Sequence, residues 1–246
     1  MNIEEAADLV AGAKYCVALT GAGMSTASGV PDFRSPGGVW SKRQPVQYQE
    51  FVASASKRRE YWEMKTEFFH ELRRARPNAA HRALADLDRA GRLSLLVTQN
   101  IDGLHQAAGH DPSRIIEIHG TNLFVECLSC HDRRDAGPVF DGFAETKIIP
   151  MCARCGGLVK PATISFGQAM PEVETRRAFA AARDADVLIA AGSSLVVFPA
   201  AGIPRECVEA GGKLLIFNRD STPYDSIAAG VFHGELAETL PLLVRV

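Results

Sequence analysis

Short, mainly apolar runs alternate along this chain with longer stretches whose apolar residues recur every three or four positions. The runs at residues 16–19, 93–97, 115–118, 163–166, 185–191 and 213–217 are too short for buried helices, so they predict strands covered on both faces. The helical spacing predicts helices over 3–13, 51–74, 79–89, 172–183, 199–210 and 235–244, with Asn78 placed to cap the third and Gly91 to stop it. Within 51–74 the set Tyr61, Trp62, Met64, Phe68, Phe69 and Leu72 reads as a core-facing stripe. Buried strands alternating with helices predict an α/β fold built on a doubly wound parallel sheet.

The strand ends carry the polar chemistry, and in an open parallel sheet the carboxyl ends are where ligands bind. The first run ends in Gly21, Ala22 and Gly23; these glycines are expected to allow positive φ and close approach of a ligand. Ser25 and Thr26 are expected to begin a helix whose free N–H groups favour phosphate. G-x-G-x-x-T is only half of a dinucleotide-binding pattern, and residues 38–49 lack the acid that would hold a ribose, which disfavours simple hydride transfer. Pro31, Asp32, Phe33 and Arg34 follow as a candidate lid. The second strand ends in Gln99, Asn100, Ile101 and Asp102, the third in His119-Gly120, a later one in Gly192, Ser193 and Ser194, and the last in Asn218. The first three of these ends are expected to deliver Gly21, Asn100 and His119 to one crevice.

Composition narrows the rest. With 27 Lys and Arg against 29 Asp and Glu, the net charge of −2 gives no general attraction to nucleic acid or to an anionic membrane. No apolar run reaches the length of a membrane span, and the acidic amphipathic start does not resemble a signal sequence, so a cytoplasmic protein is expected. Six cysteines in that compartment should be reduced thiols. Cys127-x-x-Cys130 and Cys152-x-x-Cys155, with 21 residues between the inner pair, then point to one structural zinc ion held by four thiolates. His131 is expected outside that shell, and Cys16 and Cys207 are expected to be inert.

With GAGMSTASGVPDFR, TQNID, HG, the two CxxC pairs, KPATISFG, GSSLVVFP and FNRD in order, the chain resembles the sirtuins, NAD-dependent protein lysine deacylases, over nearly its whole length. The resemblance implies a Rossmann-type part over 1–34, 92–122 and 162–246. It also implies a small domain made of a helical module, 35–91, and a zinc ribbon, 123–161. It places NAD against Ala22, Thr26, Phe33, Arg34, Gln99, Ile101 and Asp102, with Ser193, Ser194, Asn218, Arg219 and Leu236 at the adenosine half. His119 would be the catalytic base, taking a proton from a ribose hydroxyl, as an imidazole can near neutral pH. Asn100 would sit beside the reacting ribose.

The resemblance also implies an acylated-lysine peptide paired as a strand between residues 164–167 and 195–197, with Ile164, Phe166, Gly167, Leu195 and Val196 as substrate contacts and the acyl-lysine in an apolar tunnel near Phe166, Val196 and Ile101. The Tyr-x-x-Arg of desuccinylating sirtuins falls at Lys65 and Phe68 and is missing, which implies a neutral acyl group, acetyl above all. Ala162, Ser165 and Gln168 depart from the family's usual residues. A mono-ADP-ribosyltransferase, a longer-chain deacylase and a non-catalytic NAD sensor are the competing readings.

Overall fold

The computed structural model describes residues 1–32 and 44–244, so Phe33 and Arg34 lie outside the described residues. Its strands are β1 (Cys16–Thr20), β2 (Leu95–Thr98), β3 (Ile115–Glu117), β4 (Gly120–Cys127), β5 (Arg133–Asp135), β6 (Val159–Thr163), β7 (Val187–Ala191), β8 (Lys213–Phe217) and β9 (Gly230–Phe232). The helices used below are α1 (Ile3–Gly12), α2 (Tyr48–Ala53), α3 (Ala55–Leu72), α4 (Ala79–Arg89), α5 (Leu104–Ala107), α6 (Ala136–Thr146), α7 (Glu172–Asp184), α8 (Ile203–Glu209) and α9 (Leu236–Thr239).

Six strands form one parallel sheet in the order β3-β2-β1-β7-β8-β9. β1, β2, β7 and β8 are almost wholly buried because both faces are covered. Ala6, Val10, Ala83, Leu84, Leu87 and Leu236 bring α1, α4 and α9 onto one face, while Ala178, Ala182, Ile203 and Cys207 bring α7 and α8 onto the other. The order reverses between β1 and β7, which opens the crevice of a doubly wound sheet there.

β4, β5 and β6 make a separate antiparallel sheet in the order β5-β4-β6. Its core joins Phe51 of α2, Tyr61, Trp62 and Phe69 of α3, and Phe140 and Phe143 of α6 to Val125, Val159 and Cys127. Phe69 stacks on Phe140 at 4.1 Å and Trp62 meets the same ring edge-on at 5.3 Å. Each such pair adds about 0.5–1.5 kcal/mol beyond the area it buries.

Three expectations change. The strand placed at 163–166 ends where it was to begin: β6 runs Val159–Thr163 and pairs with β4, because Lys160 and Pro161 enter the small sheet. α4, assigned to the helical module, packs into the core of the large sheet through its apolar stripe, leaving α2 and α3 with the small one. In place of the helix at Ser25, two 3₁₀ turns span Ala22–Met24 and Thr26–Ser28 and end at Gly29 with φ 81°.

Candidate functional site

The glycines at the end of β1 answer to packing, not to torsion. Gly21 has an extended φ of −135°, and Gly23 is not in the left-handed region either. A Cβ at Gly23 would lie 2.8 Å from Gly192 Cα, and one at Gly192, where φ is +64°, would lie 2.4 Å from Met24 N. The Gly23 N–H donates to the Gly192 carbonyl at 2.8 Å. The ends of β1 and β7 therefore touch backbone to backbone across the switch point, which no side chain would permit.

Above this contact lies a cavity of about 700 Å³. The turns after β1 supply Gly21, Ala22, Gly23 and Thr26 to its wall; the segment after β2 supplies Gln99, Asn100 and Ile101. The end of β7 adds Gly192, Ser193 and Ser194, and the segment after β8 adds Asn218 and Arg219, with Leu236 nearby. His119 lies on the same wall, as do Ile164, Phe166 and Gly167 beyond β6. Leu195 is instead buried in the core of the large sheet, Val196 is exposed, and neither lines the cavity. Asp102 stands behind the wall rather than in it. Of the aromatic stripe, Tyr61, Met64 and Phe68 reach the cavity, whereas Trp62, Phe69 and Leu72 are core.

Hydrogen bonds fix the polar groups. His119 Nδ1 donates to the Gln99 carbonyl at 3.1 Å, because a carbonyl only accepts; the neutral ring then carries its lone pair on Nε2. Gln99 Nε2 donates to Ser193 Oγ at 2.9 Å, linking β2 to β7. Gly120 has φ +73°, and a Cβ there would lie 2.1 Å from the Ala162 carbonyl, so the turn carrying His119 is pressed against β6.

Asn100 is 7% exposed, and its amide nitrogen donates to the Gly21 carbonyl at 3.0 Å and to Ser25 Oγ at 3.3 Å. The side-chain carbonyl oxygen is left as the amide's functional group for the cavity it lines. Ser25 donates in turn to Asp102 Oδ2 at 2.7 Å, and His81 Nε2 lies 3.4 Å from the same hydroxyl. His81 Nδ1 accepts from the Asn78 N–H, which makes Nε2–H a donor to Ser25. Burial pushes the Asp102 carboxyl up, against the Leu104 N–H and the Ser25 hydroxyl that bind its anion. The sequence reading places Ser25 only as a helix start and does not single out His81, yet the two side chains are bonded to each other beneath the cavity, where Ser25 also holds Asn100 and Asp102. Only the contacts of Ser25 with His81, Asn100 and Asp102, 56, 75 and 77 residues away, mark them.

The four paired cysteines converge in the small sheet, with their sulfur atoms within 4.8 Å of one another. Cys127 and Cys155 Sγ are 3.5 Å apart, and Cys130 and Cys152 Sγ 3.6 Å. A tetrahedron with Zn–S bonds near 2.3 Å has edges of roughly 3.8 Å, so the donors fit one zinc ion. The backbone N–H groups of Cys130 and Ser129 lower the Cys127 thiol, favouring the thiolate a metal needs. His131 turns outward to Glu126 Oε1 at 2.9 Å. Burial raises the thiols of Cys16, to about 12, and Cys207, to about 11, so both stay protonated and inert.

A parallel sheet with a ligand cavity at its switch point, and a tetrathiolate module set beside that cavity, defines a Rossmann-type α/β protein with an inserted zinc ribbon. A model described as "Sir2 family" matches residues 21–199, and the chain belongs to that family. A Rhodopseudomonas palustris protein named NAD-dependent protein deacetylase is 45% identical over 239 residues, covering 97% of this chain and 94% of the relative. One of the same name from Thermodesulfovibrio yellowstonii is 42% identical, covering 100% and 95%. A solved structure of Sir2 with a p53 peptide and NAD+ superposes with a TM-score of 0.88 at 35% identity, covering 98% of this chain and 96% of that one.

Proposed function

We propose that this chain removes acyl groups, acetyl foremost, from protein lysine side chains with consumption of NAD. The observation that carries the reading is the His119 ring, held by the Gln99 carbonyl in the same cavity as Asn100, at the switch point of a doubly wound sheet.

In this reading the ends of β1, β2 and β7 hold NAD. Gly21, Ala22, Gly23 and Thr26 lie along its phosphates; Gln99, Ile101 and Asn100 lie at the reacting ribose; Ser193, Ser194, Asn218, Arg219 and Leu236 lie at the adenosine half. Bound NAD supplies an electrophilic ribose carbon when nicotinamide leaves, so that the acyl group ends on the ribose as O-acyl-ADP-ribose and the lysine is freed. Asn100 presents its carbonyl oxygen, the negative end of a fixed dipole, to developing positive charge on the ribose. Asp102 acts through Ser25, which fixes that amide's orientation. His119 takes a ribose hydroxyl proton on Nε2, because its other nitrogen is committed to Gln99. An acylated-lysine peptide lies along residues 164–167, beside Ile164, Phe166 and Gly167. Phe33 and Arg34 are kept as cofactor contacts on the resemblance alone.

Zinc holds the small sheet together and takes no part in the reaction. No helix among the described residues is long and apolar enough to cross a membrane, and a metal site of reduced thiols suits the cytoplasm, where we place the activity.

Nicotinamide release and peptide mass, measured with an acetyl-lysine peptide, test the proposal. Wild type is expected to yield O-acetyl-ADP-ribose, and His119→Ala to lose roughly 10²–10⁴-fold in rate with an unchanged thermal melt. Transfer of ADP-ribose to protein without deacetylation would replace deacylation with the transferase reading. NAD binding without nicotinamide release would leave only a sensor.

A further inference from the structure

Beneath Asn100 runs a second set of hydrogen bonds, separate from the one through Ser25. After β2 and Asn100 the chain turns through Gly103, with φ +72°, into α5, and His105 comes back under the strand ends. Thr20 of β1 and Thr98 of β2 are partners in the parallel ladder, and the side chains of Thr20, Thr98 and His105 are all buried. The Asn100 N–H donates to Thr98 Oγ1 at 3.0 Å, and Thr20 Oγ1 donates to the same oxygen at 2.9 Å. His105 Nε2 lies 3.0 Å from Thr20 Oγ1. Thr20 spends its only hydroxyl proton on Thr98, so it can only accept from the ring, and His105 is the tautomer with its proton on Nε2.

That proton is held at a cost. His105 Nδ1 is buried with no hydrogen-bond partner, and the rings of His81 and His110 are centred 5.0 and 5.4 Å from its own. Burial, with both neighbours, keeps the ring neutral. A phenylalanine would fill the same place without an orphaned nitrogen. What an N–H supplies there is direction: it occupies the Thr20 oxygen, leaves the Thr20 proton for Thr98, and so keeps the Thr98 oxygen turned to Asn100. Without it the Thr20 hydroxyl is free to rotate, and Thr98 with it. His105 does not line the cavity, and the Asn100 side chain is fixed separately, by Gly21 and Ser25.

We infer that His105 is a positioning residue, whose Nε2–H acts through the Thr20 and Thr98 hydroxyls to set the main chain of Asn100. The inference rests on the deacylase reading for what Asn100 does at the ribose, and deepens that reading with a main-chain support distinct from Ser25.

The test compares wild type with His105→Phe, His105→Gln, Thr20→Val and the double variant His105→Phe, Thr20→Val. Hydrogen exchange of the Asn100 amide, read by NMR without ligand, needs no turnover. It is expected to quicken roughly tenfold in His105→Phe and Thr20→Val, with β7 and β8 unchanged. His105→Gln, whose side-chain amide can donate from the Nε2 position, is expected to restore most of the protection. With an acetyl-lysine peptide, kcat is expected to fall roughly tenfold in His105→Phe while the KM for NAD stays within about twofold. The double variant is expected to fall no further than the lower single one, because both residues act through one chain. Losses of kcat that add, or Asn100 exchange unmoved by His105→Phe, overturn the assignment. So does exchange that quickens throughout the large sheet, which would make the histidine merely structural, and so does a ring ¹⁵N spectrum with the proton on Nδ1. Should His105→Phe fail to fold, Thr20→Val must quicken Asn100 exchange and His105→Gln must not. Wild-type turnover decides the deacylase reading separately, since exchange and tautomer require no chemistry.

Discussion

Ser25 is the residue on which the proton arrangement beneath the cavity depends. Its single hydroxyl accepts from Asn100 and His81 and donates to Asp102, so one oxygen orients two side chains from the segment after β2 and one from α4. Ser25→Ala would strand the His81 N–H and the Asp102 carboxylate and release one of the two bonds that orient the Asn100 amide. We expect a loss of about 1–3 kcal/mol in urea denaturation and a drop in kcat, with NAD affinity less affected. An unchanged kcat would mean that Asn100 needs no such holding. The motif around Gly21 made Ser25 visible only as the start of a helix, because a hydroxyl's partners 56 to 77 residues away leave no mark in local pattern.

At the scale of elements, the small sheet has little of its own to hold it. β5 has three residues, and β4 shifts register against β6 between Gly120 and Val125. The aromatic cluster of α3 and α6 packs on one side of it and the four thiolates converge at its end. Removing zinc with a chelator at neutral pH is therefore expected to loosen this module while the large sheet stays folded. Trp62, packed on Phe140 and Phe143, should report the change by a red-shifted emission, with most of the far-ultraviolet circular dichroism retained. Emission and activity that survive complete zinc removal would contradict a structural role. The paired CxxC spacing announced this site because a tetrathiolate needs little more than two such turns. The strands around it went unread: β4 and β5 are short and partly exposed, and β6 contains a proline and a buried lysine.

Across the whole molecule, three histidines are buried together beneath the sheet's carboxyl edge. The rings of His81 and His105 are 5.0 Å apart, and those of His105 and His110 5.4 Å. Burial, helped by His110 and Arg82, lowers His81 to about 4. Burial with His81 and His110 lowers His105 well below the usual range, and burial outweighs Asp88 at His110. The folded protein thus binds fewer protons than the unfolded chain once pH falls below about 6.5. The stability these groups contribute is present above that value and lost toward pH 4, on the order of 3 kcal/mol for His81 alone. Asp102 and Glu117, both raised by burial, oppose the trend at its acid end. Thermal melts from pH 8 to 4.5 should show the midpoint falling mainly below 6.5; a flat profile would mean that the histidines are solvated. Local pattern alone determined the alternating fold, five of the six parallel strands, the zinc ligands and the strand ends that meet in the cavity, because periodicity, chain reversal and metal spacing are written in consecutive residues. Only the tertiary structure decided that Gly23 and Gly192 must touch, that α4 joins the large sheet, that Leu195 and Val196 leave the cavity, and that Lys65 faces it. Those outcomes depend on which distant backbones and side chains compete for the same space, and local sequence carries no record of that.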